Sequence, residues 1–418
     1  MKRTRRAVTL AVLGVATALL MVGCGGAGGG GGSEAPTAKI VSDLPLQGAN
    51  RAQTTTMVNA IKLALQQRDN KAGDIKIEYQ SLDDATAQAG QWDEAKCAEN
   101  AQSAAQDEEI IGWIGPFNSG CAAVEIPILN RAGLGMVSPA NTYIGLTKPG
   151  GEPQEPESYY PTGERNYARV IVADDKQGQA GAALLEEEGW ESVYILDDRE
   201  TYGKGLADQF QSAAENLGIE VLGRDGIDGS ASNYRAIMDR IADEDPDAIY
   251  FGGIIENNVA QIIRDKVGAG MNNDDVAFIG PDGIYVDELI SQAGDAAEGI
   301  YITFGGLPES ELSAEGQEFV DTYESKYDDA IQPYTAYAYE AANVMLDAIE
   351  RASDEAGGDV PDREAVVEQI FATEDYEGVL GTWSFDEDGD TTLTELSILR
   401  VEDGEFQLDN VLDVAEFQ

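Results

Sequence analysis

Histidine is absent from this chain of 418 residues, and basic residues are scarce: 27 Lys and Arg stand against 77 Asp and Glu, for a formal net charge of −50. The lack of histidine excludes Ser-His-Asp and Cys-His nucleophiles and removes the commonest metal ligand. The shortage of positive charge disfavours nucleic-acid binding, because a surface this negative repels phosphate. Carboxylates remain as the ordinary acid–base groups near neutral pH, so most hydrolase mechanisms are excluded.

The same charge imbalance bears on the environment in which the chain works. An acidic surface repels itself, and salt screens that repulsion. We therefore hypothesise that the protein works in high salt, while the alternative is an ordinary acidic secreted protein. A melting temperature that does not rise between low and molar KCl would remove the high-salt hypothesis.

Cysteine is also rare, with three in the whole chain. Cys24 belongs to the leader described below. Cys97 and Cys121 remain as one possible pair in an oxidising compartment, and a disulfide between them is expected. Two separate buried thiols are the alternative, and free-thiol titration with and without reductant decides between the two.

The first 24 residues are typical of a lipoprotein export signal, with a basic start, an apolar run from Ala7 to Val22, and Gly23 before Cys24. The apolar run is short of the roughly 20 residues that a membrane-spanning helix needs, and a small residue before Cys24 suits a signal peptidase that cuts ahead of a lipidated cysteine. Residues 1–23 are therefore predicted to be a signal peptide. An uncleaved anchor helix is the alternative, disfavoured because no charged stop-transfer segment follows.

Residues 24–36 are predicted to be a flexible tether, because Gly25 to Gly32 is glycine with one alanine. A lipid on Cys24 would hold the protein at a membrane face while the folded part stays in water. We therefore expect an extracytoplasmic protein anchored to the cell membrane.

Beyond the tether, short β-rich runs alternate with longer helical patterns. Strands are predicted to start at Ala38, Ile75, Ile110 and Leu134, and then at Ser192, Ile219, Ala248 and Val276. The starts in the second series lie 27, 29 and 28 residues apart, which fits one strand, one crossover helix and two loops. A polar, proline-rich stretch from Lys148 to Gly163 separates the two series. The chain is therefore predicted to be an α/β protein with two αβα lobes.

After Gly306 the pattern becomes helical, over Ala314 to Lys326, Tyr334 to Arg351 and Arg363 to Phe371. Gly381 to Val401 is then predicted to be a β-hairpin whose turn is the acidic segment 386–390. An EF-hand calcium loop is disfavoured there, because no bidentate Glu stands at the required position. No metal site is predicted.

Two of the predicted strands end in segments that can bind a ligand, because ligands of open α/β sheets lie outside the carboxyl ends of the strands. The strand from Ile110 leads into a glycine-containing turn and a helix that starts near Ser119, whose N–H groups and hydroxyl can hold a carboxylate. Simple capping of that helix by Asn118 or Ser119 is the commoner explanation of such a pattern in isolation. The second segment, Val137 to Tyr143, bears polar side chains in its loop.

Seven segments occur in the order found in the leucine/isoleucine/valine-binding proteins, the type I extracytoplasmic solute receptors of ABC importers, and the chain resembles that family from about Ala38 onward. The segments are LDD (82–84), IGPFNSG (114–120), VSPANT (137–142), DDRETYGKG (197–205), DAIYFGG (247–253), FIGPDG (278–283) and AGDAAEG (293–299). The resemblance implies a type I periplasmic binding protein fold, with two doubly wound αβα lobes joined by a three-crossover hinge. Lobe 1 would comprise residues 37–173 and 306–381, and lobe 2 residues 174–305 and 382–418, with crossings near Ala173, Gly305 and Gly381.

The resemblance also implies a clamp for an α-amino acid between the lobes. Its candidate ligand-binding residues are Asn118, Ser119, Ala140, Asn141, Thr142, Asp174, Tyr202 and Asp282, and less surely Gln53, Phe117 and Ile254. Ser119, Ala140 and Thr142 would hold the ligand's carboxylate and ammonium, Ala140 through its backbone. Asp282 would offset the ammonium charge. For Tyr202, a packing tyrosine at a helix start is the alternative.

Three positions depart from the family pattern. The family has an aromatic residue where this chain has Gln53, a tyrosine at Ile254 and a glutamate at Asp282. The shorter Asp282 leaves room for a water or a displaced amine, and Gln53 offers hydrogen bonds to a polar side chain or amide. The ligand therefore need not be leucine. Direct contact and ordinary packing stay open for Gln53, Asp174 and Ile254.

The function implied is that of a lipid-anchored substrate-binding protein of an ABC importer, which captures a branched-chain or related amino acid, or a small amide, and delivers it to the membrane permease. We expect no catalysis, no cofactor and a monomer. A membrane-tethered ligand sensor with the same fold and no transport role is the alternative. A carboxylate-based glycosidase, from another functional class, is permitted by the acidic residues but supported by no motif.

Overall fold

The structure is a computed structural model that describes residues 35–416. The predicted signal peptide, the lipidation site Cys24 and the glycine run of the tether lie outside the described residues. Within residues 35–416, every helix is too short or too polar to span a bilayer.

A first sheet is built from residues before position 170. Its strands are β1 (Thr37–Leu44), β2 (Lys71–Ala72), β3 (Ile75–Asp83), β4 (Ile110–Ile114), β5 (Met136–Ser138) and β6 (Tyr167–Arg169), and the helices between them are α1 (Arg51–Gln67), α2 (Glu94–Gln106) and α3 (Ser119–Arg131). The strand order is β2-β3-β1-β4-β5-β6. All pairs are parallel except β2 with β3. Parallel neighbours require crossover connections; α1, α2 and α3 provide those up to β5, and residues 139–166, with two 3₁₀ turns, connect β5 to β6.

The next part of the chain repeats this pattern. Its strands are β7 (Ser192–Asp197), β8 (Glu220–Gly226), β9 (Ala248–Gly252), β10 (Ala277–Gly280) and β11 (Tyr301–Phe304), with helices α4 (Asp174–Glu188), α5 (Thr201–Leu217), α6 (Arg235–Glu244), α7 (Val259–Gly268) and α8 (Asp287–Ala293). These five strands pair in parallel, as the regular spacing of their starts predicts.

The last part of the chain contributes to both sheets. It comprises α9 (Ala314–Tyr327), α10 (Thr335–Glu355), α11 (Arg363–Phe371), β12 (Tyr376–Gly378), β13 (Gly381–Trp383), β14 (Glu395–Glu402) and β15 (Glu405–Asp413). Helix α10 packs on α1 and on β4 and β5 of the first sheet, whereas β14 and β15 extend the second sheet to the order β15-β14-β11-β10-β9-β7-β8. The chain therefore passes between the sheets three times, after β6, after β11 and after β13. Two αβα units linked by three crossings agree with the predicted fold class.

The apolar faces of the helices form the core against the sheets. Met57, Ile61, Ala64 and Leu65, whose spacing places them on one face of α1, are all buried. Helix α10 is buried around most of its circumference, because it lies between α1 and the first sheet.

The predicted hairpin at 381–401 is wrong. Strand β13 pairs with β12, and β14 pairs with β15, so that a single bridge between Phe385 and Thr391 crosses the acidic turn. The β14–β15 turn is Asp403-Gly404, with φ of 53° and 79°. Aspartate followed by glycine favours this two-residue turn with positive φ. Asp403-Gly404 was therefore a stronger hairpin signal than the acidic segment 386–390.

Candidate functional site

A cleft lies where the carboxyl ends of strands from both sheets meet. Its lining residues are Phe117, Asn118, Ser119, Ala140, Thr142, Tyr202, Ile254, Asp282, Gly283 and Tyr334. They enclose a cavity of ≈ 20 Å³. The sequence predicted all of them except Gly283 and Tyr334.

The first wall of the cleft is the N-terminus of α3. Ala122 is the first residue of this helix, within the described chain, whose N–H reaches a backbone acceptor, the carbonyl of Asn118 at 3.1 Å. Asn118 does not cap the helix with its side chain, and its buried Oδ1 has no partner among the described residues. The hydroxyl of Ser119 accepts the N–H of Tyr143 at 3.3 Å instead of closing the helix end. The first N–H groups of α3 and the helix dipole are thus available to an anion at the cleft.

The loop after β5 is held in place by Ser138. Its Oγ accepts the N–H of Ala140 at 3.2 Å and the N–H of Asn141 at 3.0 Å. The backbone group that Ala140 can still offer a ligand is therefore its carbonyl, which suits an ammonium. Asn141 is buried behind the cleft, where its Nδ2 donates to the Phe117 carbonyl at 2.8 Å and its Oδ1 accepts from Tyr167 at 3.2 Å. Asn141 joins the two loops and does not line the cleft.

The opposite wall carries Asp282, which follows β10 and opens a 3₁₀ turn. One oxygen of its carboxylate accepts the Tyr202 hydroxyl at 2.7 Å and the Gln177 Nε2 at 2.5 Å, and the other accepts the Tyr334 hydroxyl. Burial raises the pKa of Asp282, and the hydrogen bonds from Tyr334, Tyr202 and Gln177 oppose that rise. With three donors on two oxygens, the carboxylate is fixed in orientation and still has acceptor capacity for a ligand.

Tyr334 and Gln177 are functional candidates that the sequence did not indicate. Tyr334 directly precedes α10, and its ring packs edge-on against Phe117 and Phe304, with centroids 5.4 and 5.6 Å away. Gln177 lies in α4 and also donates to Thr303 of β11. Neither residue belongs to a segment that carries the family resemblance. These two residues are identified by their contact with Asp282 in the folded chain, and the local sequence gives no indication of that contact.

Asp174 lies beneath the cleft and does not line it. Strand β6 ends at Arg169 and Asp174 opens α4, where its N–H donates to the Thr142 carbonyl at 2.8 Å. Its side chain is fully buried, and neither carboxylate oxygen has a partner among the described residues. Burial, and next the charge of Asp282, raises the pKa of Asp174 well above its usual range. Gln53, in α1, is likewise buried away from the lining residues, with Oε1 unpartnered.

The rim of the cleft is closed by hydrogen bonds from first-sheet loops to second-sheet carboxylates. The N–H and the Nδ2 of Asn50 each lie 2.9 Å from the Glu256 carboxylate. On the same rim, Trp92 Nε1 donates to Glu200 at 3.1 Å. None of the four residues was predicted from the sequence, although Glu200 lies in the DDRETYGKG segment that also carries Tyr202. At these two contacts, neutral donors of the first-sheet loops meet carboxylates of the second unit.

Cys97 of α2 and Cys121 of α3 are joined as a disulfide, with an S–S distance of 2.03 Å. The bond ties α2 to the first turn of α3. Because Ser119 begins that turn, the disulfide supports the helix end that forms the first wall.

Two αβα units, three crossings and a cleft walled by a helix N-terminus and a buried carboxylate define the class of type I periplasmic binding proteins. The chain belongs to the periplasmic binding protein family, whose sequence profile matches residues 37–405.

Relatives in this family are named for the amino acids they bind. The chain is 26% identical over 361 residues to the leucine-, isoleucine-, valine-, threonine- and alanine-binding protein of Pseudomonas aeruginosa, covering 85% of this chain and 87% of the relative. It is 27% identical to the Leu/Ile/Val-binding protein BraC3 of Rhizobium johnstonii, covering 86% and 90%. These relatives are binding proteins and not enzymes.

A solved structure shows the same architecture. The leucine binding protein LivK of Thermotoga maritima superposes with a TM-score of 0.79 at 26% identity, covering 91% of this chain and 99% of that chain. The substrate binding protein LivJ of Streptococcus pneumoniae, solved with isoleucine, has a TM-score of 0.75 at 23% identity, covering 90% and 99%, and supports the fold alone.

Proposed function

We propose that this protein is the lipid-anchored, extracytoplasmic substrate-binding protein of an ABC importer and that it captures a branched-chain or related amino acid, or a small amide, between two lobes. The observation that carries the proposal is the pairing of opposite electrostatic features across the cleft. The N-terminus of α3 faces Asp282, so one wall suits a carboxylate and the other an ammonium.

In this proposal, Ser119 and the first N–H groups of α3 hold the ligand's carboxylate. The ammonium donates to Asp282, the Ala140 carbonyl and the Thr142 hydroxyl. Tyr202 orients the Asp282 carboxylate through its 2.7 Å hydrogen bond. A ligand neutral overall is then held without any basic side chain, in agreement with a cleft lining that contains none.

The side chain of the ligand would lie against the apolar part of the lining. Phe117 and Ile254 are the apolar side chains available there, together with the ring of Tyr334. An aliphatic group buried against such residues contributes about 0.8 kcal/mol for each CH₂. The names of the relatives support an aliphatic amino acid, and the unpartnered Oδ1 of Asn118 supports a ligand with an additional N–H donor.

The two lobes would close on the ligand and present the closed form to the permease. We place lobe 1 at residues 37–173 and 306–381, and lobe 2 at residues 174–305 and 382–418, with a monomer as the working unit. The leader supports a lipid on Cys24. Changing Cys24→Ser should release the protein from the detergent phase in a phase-partition assay.

A thermal-shift screen of amino acids and small amides identifies the ligand, because a compound that binds the folded form raises its melting temperature. Calorimetric titration of the best compound then tests the site. Ser119→Leu fills the carboxylate position, and Asp282→Lys places a charge against the ammonium. Each should weaken binding at least 100-fold, equal to about 2.7 kcal/mol.

Two exposed substitutions of the same kinds serve as controls. Ser103→Leu in α2 and Asp287→Lys in α8 should leave affinity unchanged. Circular dichroism checks that each variant is folded. Unchanged affinity in both Ser119→Leu and Asp282→Lys would refute the site.

A further inference from the structure

Three fully buried carboxylates surround the disulfide behind the first wall of the cleft. Asp43 is the second-last residue of β1, Asp84 directly follows β3, and Glu125 lies one turn after Cys121 in α3. Cys121 Sγ is 3.7 Å from Asp84 Oδ2 and 3.4 Å from Glu125 Oε1. The cluster has no part in the proposed binding of the amino acid.

This cluster lacks a compensating cation. None of the ion pairs in residues 35–416 includes any of its three carboxylates. Asn100 donates to Asp43, and Trp113 donates to Glu125 at 3.0 Å, but Oδ1 of the fully buried Asp84 has no partner among the described residues. Buried carboxylates are normally paired or bound to a metal, because desolvation of the charge is costly.

Asp84 lies close enough to both sulfurs to share a metal ion with them once the disulfide is broken; the Sγ atoms, 2.03 Å apart in the disulfide, would separate to about 3.8 Å in a tetrahedral zinc site. The Sγ atoms of Cys97 and Cys121 and a carboxylate oxygen of Asp84 all lie within 4.8 Å of one another. With zinc–sulfur bonds of about 2.3 Å and zinc–oxygen bonds of about 2.0 Å, a tetrahedron places sulfur and oxygen ligands about 3.5 Å apart. The distances of 3.7 and 3.4 Å from Cys121 Sγ to Asp84 and Glu125 are close to that value.

We propose that the chain binds one Zn²⁺ when the Cys97–Cys121 disulfide is reduced, with Cys97, Cys121 and Asp84 as ligands and Glu125 placed to supply the fourth. A reductant, such as a dithiol or a phosphine, transfers two electrons to the disulfide and yields two thiols. Zinc then binds the thiolates, and two protons pass to the buffer. In the oxidised chain Cys97 and Cys121 are joined and offer no thiolate, so this site does not form.

The test is a zinc titration of the full-length chain against a chromophoric chelator, after reduction with a phosphine and without oxygen. The reduced protein should take up one Zn²⁺ per chain, and the oxidised protein should bind at least 100-fold more weakly. Replacing Zn²⁺ by Co²⁺ in the reduced protein should give a thiolate-to-metal absorption band in the near ultraviolet.

Variants of one ligand identify the site. Asp84→Asn should weaken zinc binding at least tenfold, whereas Asp84→Cys, which restores an anionic ligand, should keep it. Glu99→Gln, an exposed change on the same helix as Cys97, is the matched control and should bind as wild type does. Far-ultraviolet circular dichroism establishes that the reduced variants are folded. Equal zinc binding by the reduced and oxidised chains, or by wild type and Asp84→Asn, would overturn the proposal.

Discussion

The acidic turn at 386–390 should owe its position to one buried ion pair, Arg169–Asp390. Breaking that pair should lower the free energy of unfolding far more than breaking the half-exposed Arg165–Asp388 pair in the same turn. Arg169, at the end of β6, is fully buried, and its Nε donates to Asp390 Oδ1 at 2.7 Å. The other guanidinium nitrogens donate to backbone carbonyls, including that of Tyr143 at 2.8 Å, and to Thr147. The pair joins the segment before the first crossing to the segment after the third.

The magnitude follows from the pKa of Asp390. Burial raises this pKa, but the charges and hydrogen bonds of Arg169 and Lys148 outweigh burial and lower it from 3.8 to about 2. That difference corresponds to ~2.5 kcal/mol of stability. Because the folded pKa is lowered, the contribution is present above pH 3.8 and is lost as the pH falls through about 2. Asp390→Asn leaves Arg169 buried beside a neutral group, so we expect a loss of about 3–5 kcal/mol.

Urea unfolding followed by tryptophan fluorescence measures this loss at pH 7. The matched control is Asp388→Asn, which breaks the half-exposed pair with Arg165 at 3.3 Å in the same turn. That change should cost less than about 1 kcal/mol, as exposed ion pairs do. Equal losses for Asp390→Asn and Asp388→Asn would refute the reasoning, since burial would then contribute nothing to the strength of the pair.

Three further predictions concern packing, pH and salt. Gly252→Ala should lower the free energy of unfolding by about 1–3 kcal/mol in urea titrations, because its Cβ would lie 2.2 Å from the Gly203 carbonyl oxygen, whereas Gly268→Ala, with open space around it, should cause no loss. Burial raises the pKa of Glu340 from 4.5 to about 7, so stability should fall as pH rises from 4.5 through 7, and melting curves of Glu340→Gln should show a shallower fall. The melting temperature of the wild type should rise between low and molar KCl, because salt screens a net charge of −50; a flat response contradicts the high-salt hypothesis.

The parallel strands could be predicted from the sequence because each is a short buried run with its own turn signal. Strand β9 was predicted at its observed start, and α11 at both of its ends. The segment after β13 could not be predicted in the same way. Its turn is held by Arg169, which lies more than 200 residues earlier in the chain, and no local pattern reveals such a partner.

The cleft could be predicted where its lining residues closely follow strands, as Ser119, Thr142 and Asp282 do. The assignment of Ser119 to the cleft depended on the family resemblance, because a serine at a helix start is also compatible with simple capping of the helix. Tyr334 could not be found, since its hydroxyl reaches Asp282 across 52 residues of sequence. Contacts of this kind depend on how α10 packs against the first sheet, and only the folded chain shows them.

The hydrogen bond between Tyr334 and Asp282 also bears on how the cleft opens and closes. Tyr334 belongs to the part of the chain that packs on the first sheet, and Asp282 follows a strand of the second, so this hydrogen bond joins the two halves of the molecule directly. If the two halves move apart to admit a ligand, as proposed above, this hydrogen bond must break, so it favours the closed arrangement. Tyr334→Phe removes this hydrogen bond. The difference between the ligand-bound and ligand-free forms in small-angle X-ray scattering should then be larger than in the wild type.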